Sequence, residues 1–133
     1  MQELEKFIGE WEDTNGLKGV FLHLKKILDS QDGAELSFNA RPGVSYSLRA
    51  THPAQKDRPL YVMVDVVDDD PADRWLSVCF YGDMITDPDE LGDLIPEGLL
   101  GQDGYCFDAD EPDMDKAEYL AARIGEAYAS AIK

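Results

Sequence analysis

The chain has 133 residues, of which 44% are hydrophobic and 30% are charged, and its formal net charge is −16. A chain of this length buries about two thirds of its unfolded surface, enough for one core without metal or disulfide staples. No apolar run approaches the roughly 20 residues that span a bilayer, and the first residues are acidic, unlike a secretory leader. We therefore expect a single domain over residues 1–133, located in the cytoplasm, that makes no membrane contact.

Two helices are predicted at the N-terminus. Apolar residues recur there at i, i+3, i+4 and i+7 in two stretches, separated by a break at residues 13–16. The two stripes consist of Leu4, Phe7, Ile8 and Trp11, and then of Leu17, Val20, Phe21, Leu24, Ile27 and Leu28. Both stripes require an apolar surface to cover.

A first β-hairpin is predicted from the change to a period of two. Apolar and polar residues alternate over residues 36–41 and again over residues 44–50. Between them, Pro42 and Gly43 are placed for a type II turn. This hairpin is expected to have one dry face and one wet face.

A second hairpin is predicted over residues 60–67 and 75–81, and both of its faces are apolar. Strands that are dry on both sides are normally covered on both sides. One cover is expected from the N-terminal helices and a C-terminal helix that begins near residues 111–113. The other is expected from residues 82–104, with a helical turn near residues 88–94, and a final strand is expected at residues 105–108.

Together these elements predict an α+β fold. Two N-terminal helices, an antiparallel sheet of about five strands and a C-terminal helix on the same face as the first pair would form a two-layer sandwich.

The negative charge is concentrated in one part of the sequence. Residues 65–118 contain eighteen Asp or Glu and only two basic residues, Arg74 and Lys116, whereas the rest of the chain contains ten acids and ten bases. An anionic surface repels nucleic acid and anionic membranes and attracts cations and basic proteins.

One acidic cluster is a candidate metal site at the start of the last helix. Its members are Asp108, Asp110, Glu111, Asp113 and Asp115. Converging carboxylates suit calcium or magnesium, and iron is a further candidate. The EF-hand template does not fit, because the sixth position from Asp108 is Asp113 rather than Gly and the twelfth is Tyr119 rather than Glu. The alternative is that these acids cap the helix and complement its dipole.

A candidate binding surface follows from alternation in the second hairpin. Its residues are Tyr61, Met63, Asp65, Trp75 and Tyr81. A carboxylate among aromatic side chains is expected to have a raised pKa. Alternatively, Asp65 reaches water or Arg74. The neighbouring acids Asp68, Asp69, Asp70 and Asp73 are expected to form a solvated turn.

Catalytic motifs are missing from the sequence. There is no nucleophile elbow, zinc-protease motif, phosphate loop or dinucleotide fingerprint, and His23 and His52 lack the spacing of a metal pair. Cys79 and Cys106 have apolar or aromatic neighbours and are expected to be inert buried thiols, with a redox pair across two strands as the alternative.

These observations favour a non-enzymatic acidic module that binds a basic protein. The alternative is a divalent-cation-binding domain at residues 108–115, with or without catalysis. Nucleic acid is not an expected partner, since the acidic body would repel phosphates. A homodimer is another arrangement that a dipolar monomer allows, and mimicry of nucleic acid towards a basic groove is a third function.

Overall fold

A computed structural model describes residues 2–133. It contains α1 (Gln2–Glu10), α2 (Leu17–Ser30), β1 (Glu35–Arg41), β2 (Ser45–Thr51), β3 (Val62–Val67), β4 (Trp75–Tyr81), a short 3₁₀ turn (Gly82–Met84), β5 (Asp93–Leu99), β6 (Gln102–Ala109) and α3 (Met114–Ala131). The α+β prediction is confirmed, with six strands instead of about five.

The strands form one antiparallel sheet in the order β1-β2-β3-β4-β6-β5. Successive strands from β1 to β4 are neighbours, and the chain then passes to the far edge and returns as the β5–β6 hairpin. Because β4, β5 and β6 are adjacent, the acidic part of the sequence forms one side of the sheet.

The three helices lie on one face of the sheet, which we call the inner face. Most periodic apolar residues of α1 and α2 are buried against this face, with Ile8 and Ile27 partly buried, and Ala117, Leu120 and Ile124 of α3 are buried there as well. The inward side chains of β3 and β4 are fully buried between helices and sheet. Burial of this continuous apolar core is the main stabilising contribution to the fold.

Two tight turns depend on positive φ angles. Gly43 has φ 82° and the amide of Val44 donates to the carbonyl of Arg41 at 2.9 Å, as the predicted type II turn requires. The β5–β6 turn places Leu100 at φ 51° and Gly101 at φ 86°. Two consecutive positive φ values are typical of the type I′ turn that joins tight hairpins.

The prediction for residues 82–104 is wrong. The segment contains no helical turn at residues 88–94, and it does not cover the second sheet face. Instead it forms the edge strand β5 and the connection that leads to it. The last strand, Gln102–Ala109, also extends beyond the predicted residues 105–108.

No helix among residues 2–133 has both the length and the apolar character required to cross a membrane.

Candidate functional site

The face of the sheet opposite the helices, which we call the outer face, is the candidate site. Met63 and Val67 of β3 and Trp75 of β4 alternate with fully buried neighbours and point to this face, where they remain partly exposed. Partial exposure follows because the helices cover the inner face and residues 82–104 extend the sheet sideways. The outer face is therefore accessible to a partner.

A row of polar residues crosses the middle of the outer face. In the strand register, Ser47 pairs with Asp65, Asp65 pairs with Ser77, and Ser77 pairs with Asp108. Met63 lies on one side of this row, and the pair of Val67 and Trp75 lies on the other. The outer face thus combines apolar side chains with carboxylates in its centre.

Asp65 is the central carboxylate of this face. Its Oδ1 is buried without a hydrogen-bond partner. Desolvation raises the pKa of Asp65, opposed by the Ser47 hydroxyl and by the charges of Arg49 and Arg41. This direction agrees with the expectation for a carboxylate on this face; Asp65 is also partly exposed, and Arg74 takes no part in its environment.

Arg74 lies elsewhere, against the helices. Its Nε donates to Asp68 Oδ1 at 2.7 Å, and its guanidinium lies 5.2 Å from the ring centroid of Phe7 and 5.4 Å from that of Tyr46. Asp68 is only 2% exposed and also accepts from the amide of Gly43 at 2.8 Å. The expected solvated turn is thus wrong for Asp68, whereas Asp69, Asp70 and Asp73 are exposed.

A cleft lies beside Trp75 at one end of the outer face. Leu76 pairs with Ala109, so the alternation of β6 places Asp108 and the following Asp110 on the same side of the sheet as Trp75. The cleft encloses about 380 Å³. It is lined by Asp73, Trp75, Asp108 and Asp110. An indole ring and three exposed carboxylates thus line one cleft, an arrangement that attracts organic cations.

Two residues of the predicted surface do not belong to the open part of this face. The Tyr61 hydroxyl donates to Gln31 Oε1 at 2.6 Å, and the Tyr61 ring packs edge-on against Tyr128 of α3. Tyr61 therefore contacts the helix layer. Tyr81 is 1% exposed and lies beneath the guanidinium of Arg58, 4.3 Å from its ring centroid.

Arg58 is held over Tyr81 by two neighbours. Its guanidinium donates to both carboxylate oxygens of Asp83, at 2.6 and 3.0 Å, and to Gln102 at 3.0 Å. The hydrogen bond from Arg58 lowers the pKa of Asp83. These contacts close the Tyr81 end of the outer face, so the accessible part extends from Met63 to Trp75.

The acidic cluster at the start of α3 does not converge. Asp113 caps the helix, because its side chain accepts from the amides of Asp115 and Lys116. Asp108 and Asp110 instead line the cleft beside Trp75, and Glu111 and Asp115 are exposed. Within residues 2–133, no three His, Cys, Asp or Glu side chains are grouped so that they could hold a metal ion.

The connection before β5 is attached to α3, away from the outer face. Asp87 accepts from the Tyr119 hydroxyl and from the amides of Leu91 and Gly92. Burial opposes its ionisation, but these hydrogen bonds prevail and lower the pKa of Asp87. The amide and hydroxyl of Thr86 donate to the Glu126 carboxylate at 3.0 and 2.5 Å, so this segment leaves the outer face open.

Cys79 and Cys106 face each other across β4 and β6 and form a disulfide. The expectation of inert thiols is wrong, and the alternative of a cross-strand pair holds. Since both residues alternate with buried neighbours, the disulfide lies on the outer face.

The histidines take local roles. His23 lies 2.7 Å from a carboxylate oxygen of Glu118, and His52 accepts from the amide of Ala54 and contacts the carbonyl of Asp32.

The cleft is not visible in the sequence because its residues belong to three separate groups. Asp73 belongs to the acidic loop before β4, Trp75 belongs to β4, and Asp108 and Asp110 belong to the acidic run at the start of α3. One sequence pattern does connect these residues. Cys106, Asp108 and Asp110 are each two residues apart along the last strand and its extension, so their side chains lie on the same face of the sheet. Recognising it requires knowledge that β6 pairs with β4, which sequence order does not supply.

The sequence matches no protein-family model, and neither the curated proteins nor the solved structures include a significant match.

Proposed function

We propose that the protein is a non-enzymatic interaction module that binds a basic protein partner through the outer face. The observation that carries this proposal is the open sheet face itself, where Met63, Val67 and Trp75 are partly exposed beside Asp65 and Asp108. Aromatic and Met side chains surrounded by charged groups are common at protein interfaces.

The distribution of charge supports a basic partner and indicates how that partner would be oriented on the sheet. Arg41 and Arg49 lie on β1 and β2, whereas Asp93, Asp108 and Asp110 lie on or beside β5 and β6 at the opposite side of the sheet. A partner that places its positive side over β6 gains attraction there and at longer range. Such complementarity contributes mainly to association rate and orientation, while the apolar side chains contribute affinity.

Binding of basic peptides tests this proposal with two matched variants. Arrayed peptides of 15 residues with net positive charge are screened, and the tightest is measured by calorimetry against wild type, Met63→Lys and Met114→Lys. Met63 is on the outer face, whereas Met114 is 48% exposed at the start of α3. We expect Met63→Lys to weaken binding at least tenfold, because it removes the apolar contact and repels the basic peptide, and Met114→Lys to change it less than twofold.

The proposal fails if no basic peptide binds, or if both variants bind alike. Circular dichroism confirms in each case that the variant is folded.

The cytoplasmic location remains a prediction, and the Cys79–Cys106 disulfide makes it testable. Disulfides are rare in proteins that stay in a reducing compartment. Thiol labelling of the protein inside its own cells distinguishes the two states. A reduced pair is the expected result in the cytoplasm, and a fully oxidised pair contradicts that location.

A further inference from the structure

We propose that the outer face receives a lysine side chain of the basic partner in the cleft beside Trp75, with the ammonium group beside the carboxylates of Asp108 and Asp110. This inference rests on the proposed function and names one side chain of the partner that the outer face would bind. The charge and the shape of the cleft both favour a lysine. The cleft has an aromatic wall and separate anionic groups, and it lies on a sheet face that the helices leave open.

The cleft offers two different contacts to one lysine. Val67 pairs directly with Trp75, so an apolar surface adjoins the carboxylates. The aliphatic stem of a lysine packs on such a surface while its charged end remains at a polar group. The face of a tryptophan ring is also the most favourable aromatic surface for a cation.

The positive charge has to come from outside the described chain. No ion pair within residues 2–133 involves Asp73, Asp108 or Asp110. The nearest basic residue in sequence, Arg74, is bound to Asp68 and turned towards the aromatic rings under the helices. Asp73 accepts a hydrogen bond from the Asn15 amide at 3.3 Å, so Asp108 and Asp110 are the carboxylates available to a partner's cation.

The arrangement of the carboxylates favours lysine over arginine. Asp73 precedes β4, while Asp108 and Asp110 are two residues apart along β6 and its extension, so the three anions approach the cleft from two segments. An ammonium group is a compact charge with three donors that diverge, whereas a guanidinium is planar and favours one carboxylate with two parallel hydrogen bonds. Because these carboxylates do not converge on one point, each offers a separate acceptor, and the diverging donors of an ammonium group suit separate acceptors.

The chain contains its own reporter and an internal control. Trp11 is 4% exposed in the core, and Trp75 is partly exposed in the cleft. The two indole N–H groups give separate signals in a ¹⁵N-labelled protein. Three peptides of identical length are titrated: acetyl-Gly-Lys-Gly-Lys-Gly-amide, the same peptide with both lysines acetylated, and its arginine counterpart.

We expect the lysine peptide to shift the Trp75 indole signal saturably and to leave the Trp11 signal unchanged. The acetylated peptide should cause no saturable shift, and the arginine peptide should bind at least threefold more weakly. Asp110→Asn should weaken lysine-peptide binding at least fivefold. Asp93→Asn removes the same charge from exposed β5, outside the cleft, and should change binding less than twofold.

The outcomes separate this inference from the proposed function. If a basic peptide binds and Met63→Lys abolishes its binding, but the Trp75 signal is unchanged and Asp110→Asn equals Asp93→Asn, the lysine site is wrong and the proposed function stands. Equal or tighter binding of the arginine peptide overturns the choice of lysine. If none of the basic peptides binds, both proposals fail.

Discussion

A desolvated carboxylate in the middle of a sheet face lowers stability unless a partner compensates it. Asp65 is such a group, because one of its oxygens has no hydrogen-bond partner and its pKa is raised by burial. Arg41 and Arg49 offset part of this cost without forming an ion pair with it. Asp65 thus reduces the stability of the isolated protein at neutral pH and is suited to a positively charged partner.

The first prediction concerns the pH dependence of this cost. For an acid whose folded-state pKa is raised, destabilisation is present above that pKa and disappears below the unfolded-state value of about 4. Asp65→Asn should therefore be more stable than wild type at pH 7, and the difference should shrink as the pH falls towards 4. Urea unfolding at several pH values measures it, and a difference that is independent of pH contradicts the assignment.

The second prediction concerns the buried pair of Asp68 and Arg74. Asp68 is almost fully buried and Arg74 stacks against core aromatic rings, so loss of one partner leaves an uncompensated charge in the interior. Asp68→Ala should lower the free energy of unfolding by about 3 kcal/mol. Asp69→Ala, at the next and exposed position, is the control and should change it by less than about 0.5 kcal/mol. Equal losses for the two variants would disprove the structural role of the pair.

Sequence reasoning at this scale predicted some environments and missed others. The alternation of β3 was sufficient to place Asp65 on the outer face, where desolvation raises its pKa. It placed Tyr61 on the same face, yet Tyr61 precedes the regular part of β3 and its hydroxyl reaches Gln31 after α2. It also could not distinguish Asp68 from Asp69, because burial there depends on Arg74 and on the distant Gly43.

At the scale of elements, residues 82–104 concentrate unusual features. Glu90, Glu97 and Leu100, the positive-φ residues other than Gly in residues 2–133, are all in this segment. Leu91, Leu94, Ile95 and Leu100 are also exposed there. The left-handed conformations of Glu90, Glu97 and Leu100 are held by the surrounding structure and not by local preference.

The third prediction uses the strained turn between β5 and β6. Leu100 has φ 51° and is 55% exposed, so it bears the cost of a left-handed conformation without the benefit of burial. Leu100→Asn should stabilise the protein by about 1 kcal/mol, since Asn tolerates this conformation and suits a type I′ turn. Thermal unfolding measures the change. An unchanged or lower melting temperature would mean that Leu100 makes contacts that outweigh the strain.

The helices and strands with clear periodicity were predictable, whereas the connection between β4 and β6, residues 82–104, was not. The stripes of α1 and α2 and the alternation of β1 to β4 follow from local spacing, which tertiary contacts reinforce. Residues 82–104 carry scattered apolar residues without a period, and their course depends on Asp87 meeting Tyr119 and Thr86 meeting Glu126 on α3. Those contacts span more than thirty residues and leave no local pattern.

At the scale of the whole molecule, strand order converts an uneven sequence into an uneven surface. The acidic segment provides β4, β5 and β6, which lie together, while the arginines of β1 and β2 lie at the other side. The sequence predicted the concentration of charge. The basic residues lie near one edge of the sheet and the acidic residues near the other because of the strand order, and the sequence did not reveal that order.

The fourth prediction concerns the disulfide that joins β4 to β6. The bond closes a loop with a sequence separation of 27 residues. By the entropy lost from the unfolded chain, its reduction should lower the free energy of unfolding by about 3.5 kcal/mol. Urea unfolding with and without a thiol reductant measures the loss. The Cys79→Ser/Cys106→Ser double variant is the control, because its stability should not respond to reductant; equal stability of the oxidised and reduced wild type would contradict the prediction.

The most direct test of the outer face as the binding surface is hydroxyl-radical footprinting with and without a bound lysine-rich peptide. Met63 and Trp75 should react in the free protein and become protected on binding, while the reactivity of exposed Met114 stays the same. Protection of Met114 with no change at Met63 and Trp75 would place the partner elsewhere and contradict the proposed function.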